Sequence, residues 1–276
     1  MKIAVSMWSL HKLYQKRELD VFGFIDYVAG LGVDGVELLD VFWKDPHSEP
    51  CKALDLVKSK GLKVAAYAIA NNFVNPDASK RMAEVEKIKL GVDMALALET
   101  KVVRVFAGDL EPGIKFEDAK GWILEGLSEG ARYAEQKGVV LALENHGLLA
   151  GKGAQVKEIV QTVGSPGLRA TIDTGNFLLV NERPVDAVRA LGTLAAHVHL
   201  KDMKKVGCCC VYESYAALDG SRYVGTVAGE GEVQIGEVVR LLKEAGYDGY
   251  LSIEFEGLGD PKEGTERSIE YLRRLA

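Results

Sequence analysis

Residues 194–202 read Leu-Ala-Ala-His-Val-His-Leu-Lys-Asp, and the alternation in that run decides the fold. In an extended segment Leu194, Ala196, Val198 and Leu200 share one face, while His197, His199 and Lys201 share the other. A strand that turns an apolar parity to helices and a polar parity to an enclosed interior is the strand of a barrel. Working outward, the split recurs in VVLALENH (139–146), where Val139, Leu141 and Leu143 oppose Val140, Ala142, Glu144 and His146. In LRATIDTG (168–175), Leu168, Ala170 and Ile172 oppose Arg169, Thr171 and Asp173; in YLSIEFEG (250–257), Leu251, Ile253 and Phe255 oppose Ser252, Glu254 and Glu256. IAVSMW (3–8), GVELLD (35–40), LKVAAYAI (62–69) and KVVRVFAG (101–108) bring the strands to eight.

Between these runs lie stretches such as FGFIDYVAGLG, ILEGLSEGARYAEQKG and IGEVVRLLKEAG, with apolar residues at three-to-four spacing and Gly at the end, as helices have. Eight units in 276 residues is about 34 residues each, enough for a strand, a crossover helix and two loops. No linker or low-complexity segment interrupts the series. The expectation is an α/β protein, one (β/α)8 TIM barrel over residues 1–276. A dinucleotide-binding fold also alternates strand and helix, but the dense glycines Gly229, Gly231 and Gly236 come late and lack its fingerprint spacing, so they read as a turn.

The composition is that of a globular chain: 47% hydrophobic, 27% charged, with 34 Lys+Arg against 40 Asp+Glu for a net charge of −6. An acidic balance without Lys/Arg clusters argues against a nucleic-acid partner, whose affinity rests on cations at phosphates. The first apolar run is too short for a signal peptide or membrane span, so a cytoplasmic protein without membrane attachment is expected. Cys51 and the run Cys208, Cys209, Cys210 contain no CxxC pair, and the run reads as a reduced loop or contact surface.

The inward parities collect Glu144, Asp173, His199 and Glu254 at the strands' carboxyl ends, where barrel active sites lie, with Lys201 and His146 close by. Three carboxylates in one barrel mouth need a compensating cation. One divalent metal per chain does this, and oxygen ligands with one imidazole suit Mn²⁺, Mg²⁺, Co²⁺ or Zn²⁺. The alternative is a set of structural salt bridges to Lys201, Arg104 and Arg169. Glu37 and Arg104 fall on the inward side of strands two and four and suggest an interior ion pair, and His197 a hydrogen-bonded barrel residue.

The motifs ALENHG (142–147), TIDTGN (171–176), HVHLKD (197–202), GEGEVQIGEVV (229–239) and YDGYLSIEFEG (247–257), with GVDGVEL (32–38) and VVRVFAG (102–108), resemble the xylose isomerase-like TIM barrel family. This group of sugar (phosphate) isomerases and epimerases also contains inosose dehydratases, hydroxypyruvate isomerases and, as a divergent branch, endonuclease IV. The resemblance implies that Glu144, Asp173, His199 and Glu254 hold the family's shared metal. The nuclease branch needs further ligands that are missing here: Asn176 stands where it has a histidine, and Tyr223-Val224-Gly225 where it has an Asp and a His. Some ketose epimerases also carry histidine at the Asn176 position.

The leading expectation is therefore metal-dependent isomerisation or epimerisation of a small sugar or polyhydroxy carbonyl compound of ketose type through an enediolate. Glu144 and Glu254 would serve as the acid/base pair on opposite sides of the carbon. The alternative is an inosose dehydratase-type lyase using the same site; a non-catalytic sugar-binding or partner subunit is a third. His146, Asn176, Lys201 and Trp8 are the substrate-contacting candidates: His146 at a hydroxyl or as a backbone-bonded loop residue, Lys201 at an oxyanion or paired with an acid, and Trp8 as a stacking wall or as packing. The connection from about 203 to 231, with Tyr212, Tyr215 and Tyr223, reads as a lid or contact surface. Family members are commonly oligomers, which implies a homo-oligomer, dimer or tetramer.

Overall fold

The computed structural model describes residues 1–207 and 214–275; the Cys208–Cys210 run and Tyr212 lie outside the described residues. Eight strands close a parallel barrel in the ring order β1-β11-β7-β6-β5-β4-β3-β2. They are β1 (Lys2–Ser6), β2 (Gly35–Leu39), β3 (Lys63–Ala68), β4 (Val102–Val105), β5 (Val140–Glu144), β6 (Leu168–Asp173), β7 (Ala195–Leu200) and β11 (Tyr250–Ile253). Around them run α1 (His11–Gln15), α2 (Val21–Ala29), α3 (Glu49–Ser59), α4 (Ala78–Ala97), α5 (Phe116–Lys137), α6 (Gly153–Val163), α7 (Asn176–Leu179), α8 (Pro184–Leu191), α9 (Ile235–Glu244) and α10 (Pro261–Arg273). The (β/α)8 architecture is the one expected. No helix among the described residues is long and apolar enough to cross a membrane.

Local chemistry sets the element ends. Asp20, Asp77 and Asp260 accept backbone N–H groups at the starts of α2, α4 and α10, and Gly138 and Gly164 take left-handed conformations after α5 and α6. The helix-facing parity supplies the core: Val103, Val105, Leu141, Leu143, Ile172, Val198 and Ile253 are all fully buried. The strands are shorter than the alternating runs. Trp8, His146, Lys201 and Glu254 lie just past the last residue of their strands, at the barrel mouth.

The described residues of the 203–231 connection carry secondary structure of their own. They form an antiparallel sheet in which β10 (Arg222–Thr226) pairs with β8 (Asp202–Val206) on one side and β9 (Tyr215–Ala216) on the other. The carboxylate of Asp202 anchors its base, accepting from the backbone N–H groups of Gly229 and Gly231 at 2.9 Å each and of Val233 at 3.0 Å. This explains the late glycines. Gly229 has φ +88°, and a Cβ on Gly231 would lie 2.2 Å from Asp202 Oδ1, so the turn wraps a carboxylate and binds no phosphate.

Candidate active site

The inward residues of β5, β6 and β7 converge at the carboxyl end of the barrel. Glu144 Oε2, Asp173 Oδ2 and His199 Nδ1 all lie within 4.8 Å of one another. All three atoms are buried; Glu144 Oε2 lies 3.2 Å from Arg104 Nε and 3.4 Å from His199 Nδ1, and Asp173 Oδ2 lies 2.9 Å from the Lys201 ammonium. The remaining atoms of these side chains are tied down. Asp173 Oδ1 accepts from the Gly175 and Asn176 N–H groups at 2.9 Å each, Glu144 Oε1 accepts from Asn176 Nδ2 at 3.2 Å, and His199 Nε2 is 2.8 Å from Glu37 Oε1. Each side chain thus aims one ligand atom at a common point, where Lys201 and Arg104 pair with Asp173 Oδ2 and Glu144 Oε2 and where a divalent cation would find its donors.

The fourth expected ligand differs in detail. Glu254 Oε1 is 3.6 Å from His199 Nδ1, but its Oε2 is 2.7 Å from the Lys201 ammonium. Lys201 also lies 2.9 Å from Asp173 Oδ2 and 3.3 Å from Glu256 Oε1, and donates to Asn176 Oδ1 at 3.3 Å. Burial alone would lower the pKa of Lys201, but Asp173, Glu254 and Glu256 outweigh it and hold the ammonium well above its ordinary value. Burial pushes the Asp173 carboxyl up to about 7; Lys201 opposes this, and Glu254 and Glu144 reinforce it.

Glu37 and Arg104 do not pair with each other. Across β3, Glu37 aligns with Ala66 but Arg104 with Ala68, two residues further along. Glu37 therefore meets His199, His197 at 3.3 Å and the Ser252 hydroxyl at 2.7 Å, whereas Arg104 reaches Glu144 at 3.2 Å. Burial opposes ionisation of Glu37, yet the His199 and His197 charges win and hold it well below the carboxylate range. Arg169 turns away from the acids and donates to the Thr193 carbonyl.

The remaining candidates line a cavity of about 500 Å³ above the cluster. His146 stacks on Phe106 at 4.0 Å and 26°, and its buried Nδ1 is unpartnered; burial, opposed by Glu144, lowers its pKa. Trp8 donates from Nε1 to Glu256 Oε1 at 2.6 Å and stacks on His11. Glu256 and Asn145 escaped the sequence reading. Glu256 shares the inward parity of Glu254, a signal that was available. Asn145 pins β5 to β6 by bonding both the N–H and the carbonyl of Asp173, and nothing in the pattern marks it.

A closed parallel barrel with a buried acid and histidine cluster at its carboxyl end defines a barrel enzyme scaffold with a candidate metal centre. The chain belongs to the xylose isomerase-like TIM barrel family, whose model matches residues 25–275. It is 26% identical over 277 residues to the inosose dehydratase of Mesomycoplasma hyopneumoniae (strain 7448), covering 91% of this chain and 87% of that one. Against the inosose dehydratase of Bacillus thuringiensis (strain Al Hakam) it is 25% identical over 160 residues, 56% of this chain and 54% of that one, so it spans about half the length of that relative. Its fold is that of D-psicose 3-epimerase from Clostridium cellulolyticum H10, solved with D-tagatose: TM-score 0.77, 16% identity, 100% of this chain and 99% of that one.

Proposed function

We propose that this protein is a divalent-metal-dependent isomerase or epimerase that removes and returns a proton at a carbon next to the carbonyl of a polyhydroxy compound. The observation that carries the reading is the convergence of three buried ligand atoms, from Glu144, Asp173 and His199, at the floor of a cavity with a second glutamate, Glu254, beside them. When bound there, the metal supplies Lewis acidity to the carbonyl and hydroxyl oxygens and so acidifies the intervening C–H. Glu144 and Glu254 sit on the non-adjacent strand ends of β5 and β11, the placement that lets one carboxylate take the proton and the other return it from the opposite side. Lys201, kept charged, presents its ammonium to a developing oxyanion, and Arg104 holds Glu144 in place. Trp8, locked by Glu256, walls the substrate.

A second reading, loss of water, is favoured by the ammonium of Lys201 lying 2.7 Å from Glu254, a proton donor beside the base, and by the dehydratase names of the sequence relatives. There Glu254 takes the C–H proton, the electron pair forms the new double bond, and the β C–O bond breaks as Lys201 protonates the departing hydroxyl. One experiment addresses both readings. Mn²⁺-loaded protein is incubated in D₂O with ketoses and inososes and followed by proton NMR and ultraviolet absorbance. Deuterium at the carbon next to the carbonyl, without new absorbance, supports epimerisation or isomerisation. A conjugated-carbonyl band supports dehydration. Neither signal with any compound, in protein shown to contain metal, sinks the reading.

A further inference from the structure

The cavity above the cluster is lined by apolar side chains as well as by the acids at its floor. Around the ring of eight strands β2 stands opposite β6, and β1 opposite β5. Leu39 at the end of β2 and Val41 beyond it therefore face Leu179 after β6, and Trp8 after β1 faces Leu148 after β5, with Met203 closing the side. Several polar groups among the lining residues are already engaged. The Trp8 N–H and the Tyr215 hydroxyl are both given to Glu256, and Asp40 accepts from the Ala70 N–H and pairs with Lys87. Sugar hydroxyls set against the Leu39, Val41, Leu148, Leu179 and Met203 side chains would lose water without gaining partners.

Charge narrows the choice further. Asp40, Glu144, Glu254 and Glu256 line the cavity against only two cations, Arg104 and Lys201, and both are held by carboxylates. The lining is net acidic, which disfavours a phosphate or carboxylate on the ligand. A volume of about 500 Å³ lies in the range that holds ligands larger than one sugar ring.

From these features we infer that the substrate is an uncharged hydroxy-carbonyl compound bearing an apolar substituent, aromatic or alkyl. Its carbonyl and hydroxyl end faces the acid cluster, and its substituent lies between the Trp8, Leu39 and Val41 wall and the Leu148, Leu179 and Met203 wall. This rests on the carbonyl chemistry proposed above, and binding tests it separately from turnover. Mn²⁺-loaded protein is titrated calorimetrically with D-fructose, D-fructose 6-phosphate and the 6-O-benzyl ether of D-fructose. The benzyl ether is expected to bind about tenfold or more tightly than the free ketose, from burial of the ring, and the phosphate no more tightly than the free ketose. Val41→Asp, at a half-exposed rim position, and Leu179→Gln should each erase most of the benzyl preference. Equal or weaker affinity for the benzyl ether, including no measurable binding, overturns the inference, as does a preference that survives both substitutions or tighter binding of the phosphate. Absence of solvent deuterium exchange with all three compounds would instead refute the enolisation chemistry, while the order of affinities still decides the substrate class.

Discussion

Glu37 has no route to the substrate cavity, yet its carboxylate decides which nitrogen of His199 faces the acids. With Nε2–H held at 2.8 Å by Glu37 Oε1, the free lone pair of a neutral ring sits on Nδ1, the atom directed at Glu144 and Asp173. Glu37→Gln should therefore weaken metal binding by about 10- to 100-fold, and it should also lower the metal-free melting temperature, because His199 loses its buried countercharge. A competition titration with a chelating dye measures this, and an unchanged Kd would reduce Glu37 to barrel packing. Lys201 makes the opposite prediction. Its ammonium touches Asp173 and Glu254 and so competes with a metal for their oxygens. Lys201→Met should tighten metal binding and lower the melting temperature of the metal-free protein, which would lose its internal countercharge.

At the scale of elements, Asp202 joins β8 to the turn before α9. Replacing it with Ala leaves the N–H groups of Met203, Gly229, Gly231 and Val233 without their acceptor. The expected cost is about 3 kcal/mol, with new proteolytic cleavage in the 203–231 segment; resistance to protease equal to that of the parent would count against it. This segment also marks where sequence reading ran out. The barrel strands were legible because a period of two separates helix-facing Leu, Val and Ile from inward acids and histidines over four or more residues. The β8–β10 pairing was not, because Met203, Val224 and Thr226 carry no such alternation and the register comes from contacts with Leu179 and the Asp202 carboxylate. For the same reason three of the four proposed ligands meet as their parity implied, whereas the Glu37 and Arg104 pairing failed on a register offset that composition does not encode.

For the whole molecule, metal, protons and stability are linked through the buried cluster. In the metal-free protein burial raises Asp173 to about 7 from an ordinary 3.8, so between those values the folded chain binds a proton that the unfolded chain has released. The associated stability is fully present below pH 3.8 and is lost as pH rises through about 7. His199 acts in the same direction: burial opposes its charge, but Glu37, Glu254 and Glu144 hold it protonated well above its usual value. The metal-free melting temperature should therefore fall between pH 5 and 8, and Asp173→Asn, which has no proton to lose, should flatten part of that fall. A bound cation takes the place of these protons, because Asp173 and His199 must both give them up to act as ligands. Metal affinity should consequently rise with pH across the same window, and the gain in melting temperature on adding Mn²⁺ should be larger at pH 8 than at pH 6. Calorimetry in two buffers of different ionisation enthalpy reads the proton release directly, and a binding enthalpy independent of buffer would mean that the ion sits away from Asp173 and His199.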